Sequence, residues 1–143
     1  MGMTGQDSAA DINEIIMLTH RYAKAVDKYD PEALLTVFAE DAVLDHSPYG
    51  NACSEGHDEI SAYFARLKAS GRPSMHITSN HTVEIVDADE AVGTSYVQAM
   101  RPGTEAGSPI VAALAMNEDR YVRTDAGWRI SHRRTSPLID VGI

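Results

Sequence analysis

The side chains in this sequence best suited to acid–base chemistry are its six histidines and Asp27, an aspartate beside an apolar helical stripe. At about 100° per residue, the segment DINEIIMLTHRYAKAVDKY predicts an amphipathic helix over residues 11–29. Asp27 falls at one edge of its core-facing stripe and Tyr22 at the other. A carboxylate beside a buried stripe, near the negative end of the helix dipole, is unfavourable unless a cationic or hydrogen-bonding group faces it. Our candidate for that partner is a downstream histidine, His76.

Composition restricts the possible partners and compartment. The 143 residues suffice for one domain with a single core. Twelve Lys and Arg against 21 Asp and Glu give a net charge of −9, which argues against nucleic acid and anionic membranes, because both require clustered positive charge. No apolar run approaches the roughly 18 residues of a membrane span, and the N-terminus lacks a signal-peptide pattern. We therefore expect a cytoplasmic protein.

The histidines and the single cysteine do not suggest a metal site. Neither the HxH nor the HExxH spacing occurs, and Cys53 alone provides no cluster. The sequence therefore predicts no metal and no cofactor.

Two further helices are predicted after the first. Asp30-Pro31-Glu32 is a helix-start signal, an N-cap followed by proline and an acidic residue, and opens a helix over 31–40. The helical spacing of Ile60, Tyr63 and Phe64 predicts a third helix over 55–69. Residues 1–10 are expected to form a flexible N-terminus ahead of a single domain over 11–143.

The remaining segments have the pattern of strands. A short strand is predicted at 42–46, and four longer strands at 75–86, 91–101, 109–123 and 127–135, with Gly-, Pro- and Asp-containing turns between them. Short turns favour antiparallel pairing of neighbours. Three N-terminal helices followed by a meandering sheet predict an α+β fold, in which a curved sheet leaves a blind pocket beneath the helices.

Four segments together resemble the SnoaL-like family of the nuclear transport factor 2-like superfamily: RYAKAVDKYDPEALLTVFAEDAVLD, GHDEISAYFARL, MHITSN with HTVEIVDADEA, and RYVRTDAGWRISHRR. The resemblance implies a cone-shaped α+β barrel, a deep apolar pocket at its open end, and often a homodimer. Relatives include dehydratases, a dehydrochlorinase, ketosteroid isomerases, polyketide cyclases and non-catalytic dioxygenase small subunits. The fold alone therefore does not fix the chemistry.

The resemblance also implies a His–Asp dyad, formed in the dehydratases by the late part of the first helix and the start of the strand after the third. Asp27 and His76 stand at those places, and Tyr22 stands where relatives place a pocket tyrosine. The carboxylate would hold the imidazole in one tautomer while the other ring nitrogen takes a proton. The alternative is that Asp27 pairs locally with Lys24 or Lys28 and that His76 is an ordinary strand residue.

Three further residues are candidates for the pocket. His46 ends the first strand, where the ketosteroid isomerases carry a catalytic aspartate, and this departure argues against a carboxylate base. Phe64 of the third helix, and Asn80, which alternation places on the strand face of His76, are taken as substrate-binding residues.

The last strand offers cationic candidates. Trp128, Ile130, His132 and Arg134 alternate onto one face, so His132 or Arg134 would reach the pocket. Arg133 takes their place if a bulge changes the register. Alternatively, these side chains are solvated or lie at a dimer interface.

The sequence thus favours a cofactor-independent SnoaL-like lyase, a dehydratase or related β-elimination enzyme acting on a small cyclic or polycyclic hydrophobic molecule. An isomerase or cyclase would use the same pocket, and a non-catalytic small subunit would need no dyad. We also expect a homodimer, packed through an apolar outer face of the sheet. The residues proposed for that face are Val97, Ala99, Val111, Ala113 and Ala115.

Overall fold

The structure, a computed structural model, describes residues 5–139 and contains three α-helices in that range. Helix α1 spans Gly5–Lys28, α2 spans Pro31–Leu35 and α3 spans Gly56–Ala69. The prediction for α3 is confirmed. Helix α1 begins at Gly5, earlier than predicted, and residues 1–4 lie outside the described range. The flexible N-terminus over 1–10 and the single domain over 11–143 stay predictions. None of the described helices is long and apolar enough to cross a membrane.

Helix α2 is shorter than predicted because the chain changes to a strand at Phe38. Its start is as expected: Asp30 caps it by accepting a hydrogen bond from the Ala33 backbone N–H at 3.1 Å, and Pro31 occupies the first turn. Its end differs, since the Val37 carbonyl accepts a hydrogen bond from the Ile130 N–H at 2.9 Å. Pairing with a distant strand therefore overrides the local helical pattern.

Six strands form one mixed sheet with the order β2-β1-β6-β5-β4-β3. Their bounds are β1 Phe38–Asp45, β2 Ser54–Glu55, β3 Met75–Ile85, β4 Glu90–Arg101, β5 Val111–Thr124 and β6 Gly127–Ile139. Strands β3 to β6 form the predicted antiparallel meander, whereas β1 pairs with β6 in parallel. The α+β fold with three helices against a curved, mostly antiparallel sheet is confirmed. The sheet is not a closed barrel, because β2 and β3 form its two edges.

Two of the register shifts in the sheet reverse the side-chain alternation of strands that line the cavity. In β3 the pairing with β4 shifts between Ser79 and Thr82, where Asn80 has a φ of +50°. In β6 the pairing with β5 jumps from Ile130 to His132, leaving Ser131 as an extra residue. An inserted residue of this kind moves every later side chain to the opposite face. Both bulges decide which residues reach the pocket.

The main hydrophobic core lies between the helices and the inner face of the sheet. Its largest members are fully or almost fully buried: Ile15, Leu18, Leu34, Phe38, Ile60, Tyr121, Trp128 and Ile130. Helix α1 is fixed to the end of the sheet by Asp11, which accepts hydrogen bonds from Trp128 Nε1 at 2.9 Å and Arg123 Nη2 at 2.7 Å. This anchoring sets the position of Tyr22 and Asp27 further along the same helix.

Candidate active site

A cavity of about 220 Å³ lies between α1, α3 and the inner face of the sheet. Its walls are mainly apolar and aromatic, with a few polar groups drawn from α1, the end of β1 and strands β3 to β6. The lining residues are Tyr22, Ala23, Val26, His46, Tyr49, Asn51, Tyr63, Phe64, Leu67, His76, Thr78, Val97, Ala99, Arg101, Ala113, Ala115, Asn117 and Thr135. An enclosed apolar space with few convergent polar groups is the usual form of a small-molecule site.

Asp27 and His76 meet at the wall of this cavity. Asp27 Oδ1 lies 2.6 Å from His76 Nδ1, and the two side chains are only 23% and 12% exposed. The carboxylate also accepts a hydrogen bond from the His76 backbone N–H, at 3.0 Å to Oδ2, and one from Ser74 Oγ, at 3.0 Å to Oδ1. The structure therefore places this predicted pair in direct contact, with the aspartate fixed by three donors.

These contacts determine which tautomer of the neutral His76 ring is favoured. An ionised carboxylate can only accept hydrogen bonds, so Nδ1 must carry the proton it donates to Asp27. The other nitrogen, Nε2, is then an acceptor, and His76 lines the cavity. A neutral imidazole held in this way, with a carboxylate behind it, can take a proton from a bound molecule.

Tyr22 forms part of the cavity wall within an aromatic cluster. Its ring packs edge-to-face with Phe38 at 5.8 Å and with Phe64 at 6.0 Å between centroids. Burial raises the pKa of its phenol above the ordinary value, and the positive charge of Arg133 offsets this only in part. The hydroxyl is therefore protonated at neutral pH and available as a hydrogen-bond donor. The predicted positions of Tyr22 and Phe64 at the pocket agree with the structure.

His46 is a second histidine in the cavity. Burial, followed by repulsion from the Arg133 charge, lowers its pKa from 6.5 to about 4. Its ring lies 5.1 Å from that of Tyr63, and its Nδ1 is buried without a hydrogen-bond partner among the described residues. A neutral imidazole with a free nitrogen is thus available beside the dyad.

Arg133, rather than Arg134, is the arginine of β6 that points inward. Its side chain is fully buried, donates from Nε and Nη2 to Asp119 at 2.8 Å each, and stands 4.6 Å from the Tyr22 ring centroid. Burial opposes its charge, but the Asp119 carboxylate raises the pKa of the guanidinium above its ordinary value. The bulge at Ser131 produces this arrangement, which the sequence had offered only as an alternative.

Three predicted substrate-binding residues lie outside the cavity lining. Arg134 is 46% exposed and pairs with Asp45 at 2.6 Å. Arg134 and His132 both line a different groove, together with residues such as Glu118 and Arg120. The bulge at Ser131 breaks the alternation that would have brought them to the cavity.

Asn80 is misplaced for the same reason. It is exposed at the bulge of β3, whereas His81 turns inward and its Nε2 lies 3.0 Å from the Tyr121 hydroxyl. Thr78, which precedes the bulge, does line the cavity as alternation from His76 predicts.

The face chosen for a dimer interface is the floor of the cavity. Val97 and Ala99 of β4 and Ala113 and Ala115 of β5 line the cavity. The side chain of Val111 lies outside the described residues. The cavity explains their apolar character, so the expectation that these residues form the outer, dimer-packing face of the sheet is wrong.

Several cavity residues were not recognised from the sequence. Asn117 is buried, donates to Ser95 Oγ at 3.3 Å and accepts from Thr135 Oγ1 at 2.8 Å. Arg101 and Tyr63 also line the cavity. Alternation from Val97 through Ala99 to Arg101 was a usable signal, but only after the inner face of β4 had been identified.

No group of three or more potential metal-binding side chains converges within residues 5–139. The six described histidines lie in different surroundings: His76 and His46 at the cavity, His132 in the separate groove with Arg134, His81 against Tyr121, His20 exposed, and His57 with its Nε2 3.0 Å from the Phe38 carbonyl oxygen.

Comparison with known proteins places this geometry in context. Residues 7–134 match the family model described as a SnoaL-like domain. No curated protein matches the chain.

Solved structures with the same fold cover nearly the whole chain. A protein from Novosphingobium aromaticivorans, provisionally named an aromatic ring hydroxylase, is 30% identical, with 92% of each chain covered and a TM-score of 0.83. Another from the same organism, provisionally named a scytalone dehydratase, is 24% identical, with 95% of this chain and 89% of that chain covered and a TM-score of 0.81. A third, from Streptomyces avermitilis and provisionally named a dehydratase of the NTF2-like family, is 18% identical, with coverage of 92% and 99% and a TM-score of 0.79.

Proposed function

The chain belongs to the SnoaL-like domain family, and we propose that it is a lyase, a dehydratase or related β-elimination enzyme that works without a cofactor. Its substrate is a small cyclic or polycyclic hydrophobic molecule. The observation that carries the proposal is the 2.6 Å contact of His76 Nδ1 with Asp27 at the wall of an apolar cavity. Two solved structures of this fold provisionally named as dehydratases are consistent with it.

In the proposed reaction, His76 Nε2 removes a proton from a substrate carbon. The electron pair of the broken C–H bond forms a carbon–carbon double bond as the C–O bond of a neighbouring hydroxyl breaks. That hydroxyl leaves as water after taking a proton from Tyr22, and His46, which is neutral, assists it by hydrogen bonding. Asp27 stabilises the imidazolium and keeps the ring oriented, as the carboxylate does in a catalytic triad.

The cavity supplies the other requirements of such a reaction. The cavity has space for a flat ring between two walls. One wall is formed by the edge-to-face rings of Tyr22, Tyr63 and Phe64, and the other by the small side chains of β4 and β5. General-base catalysis contributes about 10²–10⁴-fold, so positioning and exclusion of water must supply the rest of the acceleration. An isomerase or cyclase would use the same base and return the proton to a different atom.

A panel of hydroxylated cyclic ketones and polyketide-like phenols would test this function, with loss of water followed by mass spectrometry. His76→Gln should reduce turnover by about 10²–10⁴-fold, the range expected for a general base, with little change in melting temperature. The matched control is His57→Gln on α3, which lies outside the cavity lining and should keep its activity. Full activity in His76→Gln would remove His76 from the mechanism and make His46 the next candidate.

The relative named as an aromatic ring hydroxylase supports a second candidate, a binding module that assists a ring-hydroxylating partner. Such a protein would bind an aromatic molecule in the same cavity but would leave the chemistry to its partner. Turnover of any panel member by the isolated chain argues against this role. Co-purification with an iron–sulfur protein, together with an inactive isolated chain, would favour it.

A further inference from the structure

Arg101 is a cation at the cavity wall that has no ion-pair partner among the described residues. It is the last residue of β4 and lines the cavity beside apolar and aromatic side chains. Three other arginines form ion pairs: Arg133 with Asp119, Arg134 with Asp45 and Arg123 with Asp11. Arg101 is half-buried and, among the side chains that the structure describes, has no ion-pair or hydrogen-bond partner. A partly buried guanidinium without a partner is unfavourable, and an anion in the cavity would relieve that cost.

The strand register places Arg101 at a defined distance from the dyad. His76 of β3 is paired directly with Ala99 of β4, and Arg101 follows two residues later on the same face. Two residues of antiparallel strand span about 7 Å. The backbone of Arg101 therefore lies about 7 Å beyond the strand position of His76, and Arg101 lines the same cavity as the dyad.

The cavity that Arg101 lines has further polar groups. Tyr63 and Asn51 also line it, and burial raises the pKa of the Tyr63 phenol, so this hydroxyl is protonated and can donate a hydrogen bond. The backbone that follows Arg101 is held by Arg72 Nη2, which donates to the Pro102 carbonyl at 2.7 Å. A cation, a protonated phenol and an amide thus line the same, otherwise mainly apolar, cavity.

We propose that Arg101 forms an anion subsite, and that the molecule bound in this cavity carries a carboxylate about one ring away from the carbon that faces His76. This proposal adds a feature of the substrate to the proposed function, and it rests on that function only because both use the same cavity. The apolar ring would lie between the small side chains of β4 and β5 and the aromatic side chains of α3. The carboxylate would accept two hydrogen bonds from the planar guanidinium, the geometry that favours arginine over lysine.

A pair of matched ligands tests the subsite without any assay of turnover. Isothermal titration would compare 2-naphthoate with 2-naphthamide, which has the same shape but no charge, and benzoate with benzamide. Because charge-assisted hydrogen bonds are about twice as strong as neutral ones, we expect each carboxylate to bind about tenfold or more tightly than its amide. Added sodium chloride should reduce that preference, since salt screens partly exposed charges.

Substitutions test whether Arg101 causes the preference for the carboxylate over the amide. Arg101→Gln should bring the affinities of carboxylate and amide together, whereas Arg101→Lys should retain part of the difference. The matched control is Arg66→Gln, an exposed cation 5.9 Å from the Tyr63 ring centroid, which should keep the full preference. Melting temperatures of the variants confirm that each is folded.

The outcomes separate this inference from the proposed function. Asp27→Asn should keep the carboxylate preference, so failure of the dyad would leave the subsite intact. No preference for either carboxylate in the wild type, or an equal preference in Arg101→Gln, would overturn the anion subsite. An unchanged preference in Arg101→Gln that is lost in Arg66→Gln would assign the binding to the other cation and equally contradict the proposal.

Discussion

At the scale of single residues, the environment of each side chain decides what it can do in the cavity. His46 and His76 are both imidazoles at the same cavity, but one is buried near the Arg133 charge and the other is backed by a carboxylate. The first is held neutral over a wide pH range, while the second has a partner that stabilises its cation. The two are therefore suited to different tasks, hydrogen bonding for His46 and proton removal for His76.

The lowered pKa of His46 predicts a specific loss of stability in acid. The unfolded ring takes a proton near pH 6.5, whereas the folded ring does so only near pH 4. The free energy of unfolding should therefore fall as the pH drops from 6.5 to 4, by up to about 3 kcal/mol from this group. Above pH 6.5 the contribution is complete.

His46→Gln should remove this part of the pH dependence. Urea unfolding of both proteins at several pH values between 4 and 7 gives the difference between their free energies of unfolding. The contributions of Asp45 of β1, Arg133 of β6 and the other titrating groups largely cancel in that difference. Parallel curves for the two proteins would show that the His46 ring is solvated and can be protonated in the folded state.

Sequence patterns predicted the dyad but not the arginine that faces Tyr22. Asp27 was identifiable because a carboxylate beside an apolar stripe needs a partner, and the family resemblance supplied His76. Arg133 and Arg134 are adjacent and chemically identical, so only the bulge at Ser131 distinguishes the buried arginine from the exposed one. A single inserted residue in a strand leaves little trace in the local pattern of residue types.

At the scale of elements, the long antiparallel strands and α3 were predictable because their periodicity and turns are local properties. Strand β1 was predicted too short and β2 not at all. The reason is that β1 is held by parallel pairing with β6, which lies far along the chain, and β2 pairs with β1 over only two residues. Long-range pairing of this kind overrides local helical preference, as it does at Val37 and Phe38.

The bulge in β3 provides a test at this scale through Asn80, which has a φ of +50°. Asparagine and glycine tolerate this left-handed conformation better than residues with an ordinary Cβ. Asn80→Ala should therefore lower the free energy of unfolding by about 1 kcal/mol, and Asn80→Gly should be close to neutral. Denaturant unfolding of the two variants measures the difference.

Neither substitution at Asn80 should change ligand affinity, because the side chain is exposed outside the cavity lining. A large loss of affinity in Asn80→Gly, with stability unchanged, would return Asn80 to the binding site and contradict the register described for β3.

At the scale of the whole molecule, the helices and the inner face of the sheet enclose the cavity, and the opposite face of the sheet retains exposed apolar side chains. Ile77 and Tyr96 of neighbouring strands are 43% and 40% exposed. They alternate with the cavity-lining residues of β3 and β4, so they lie on the outer face. The expected homodimer therefore remains a prediction, with its interface moved to this outer face.

Light scattering at micromolar concentration should give the mass of a dimer, because exposed apolar side chains on a sheet face favour self-association. Tyr96→Glu would place a charge on that face and should yield a folded monomer. The matched substitution Glu84→Gln, at an exposed position of β3, should leave the dimer intact. A monomeric wild type would contradict the prediction.

Asp27 holds His76 with its proton on Nδ1 and a free Nε2 at the cavity. Three donors bind the aspartate: the His76 backbone N–H binds Oδ2, and the His76 ring and Ser74 Oγ bind Oδ1. The Ser74 hydroxyl can turn to accept a hydrogen bond instead, so it does not decide the orientation of an amide. In Asp27→Asn the amide oxygen must serve the backbone N–H, which can only donate, so the amide NH₂ faces the ring. The ring would then accept at Nδ1 and carry its proton on Nε2.

Long-range ¹H–¹⁵N correlation spectra of the histidine rings, recorded at a pH where His76 is neutral, measure this tautomer directly. We expect the Nδ1–H form of His76 in the wild type and the Nε2–H form in Asp27→Asn. The Nε2–H form in both proteins would show that the carboxylate does not orient the ring, and it would contradict the proposed base.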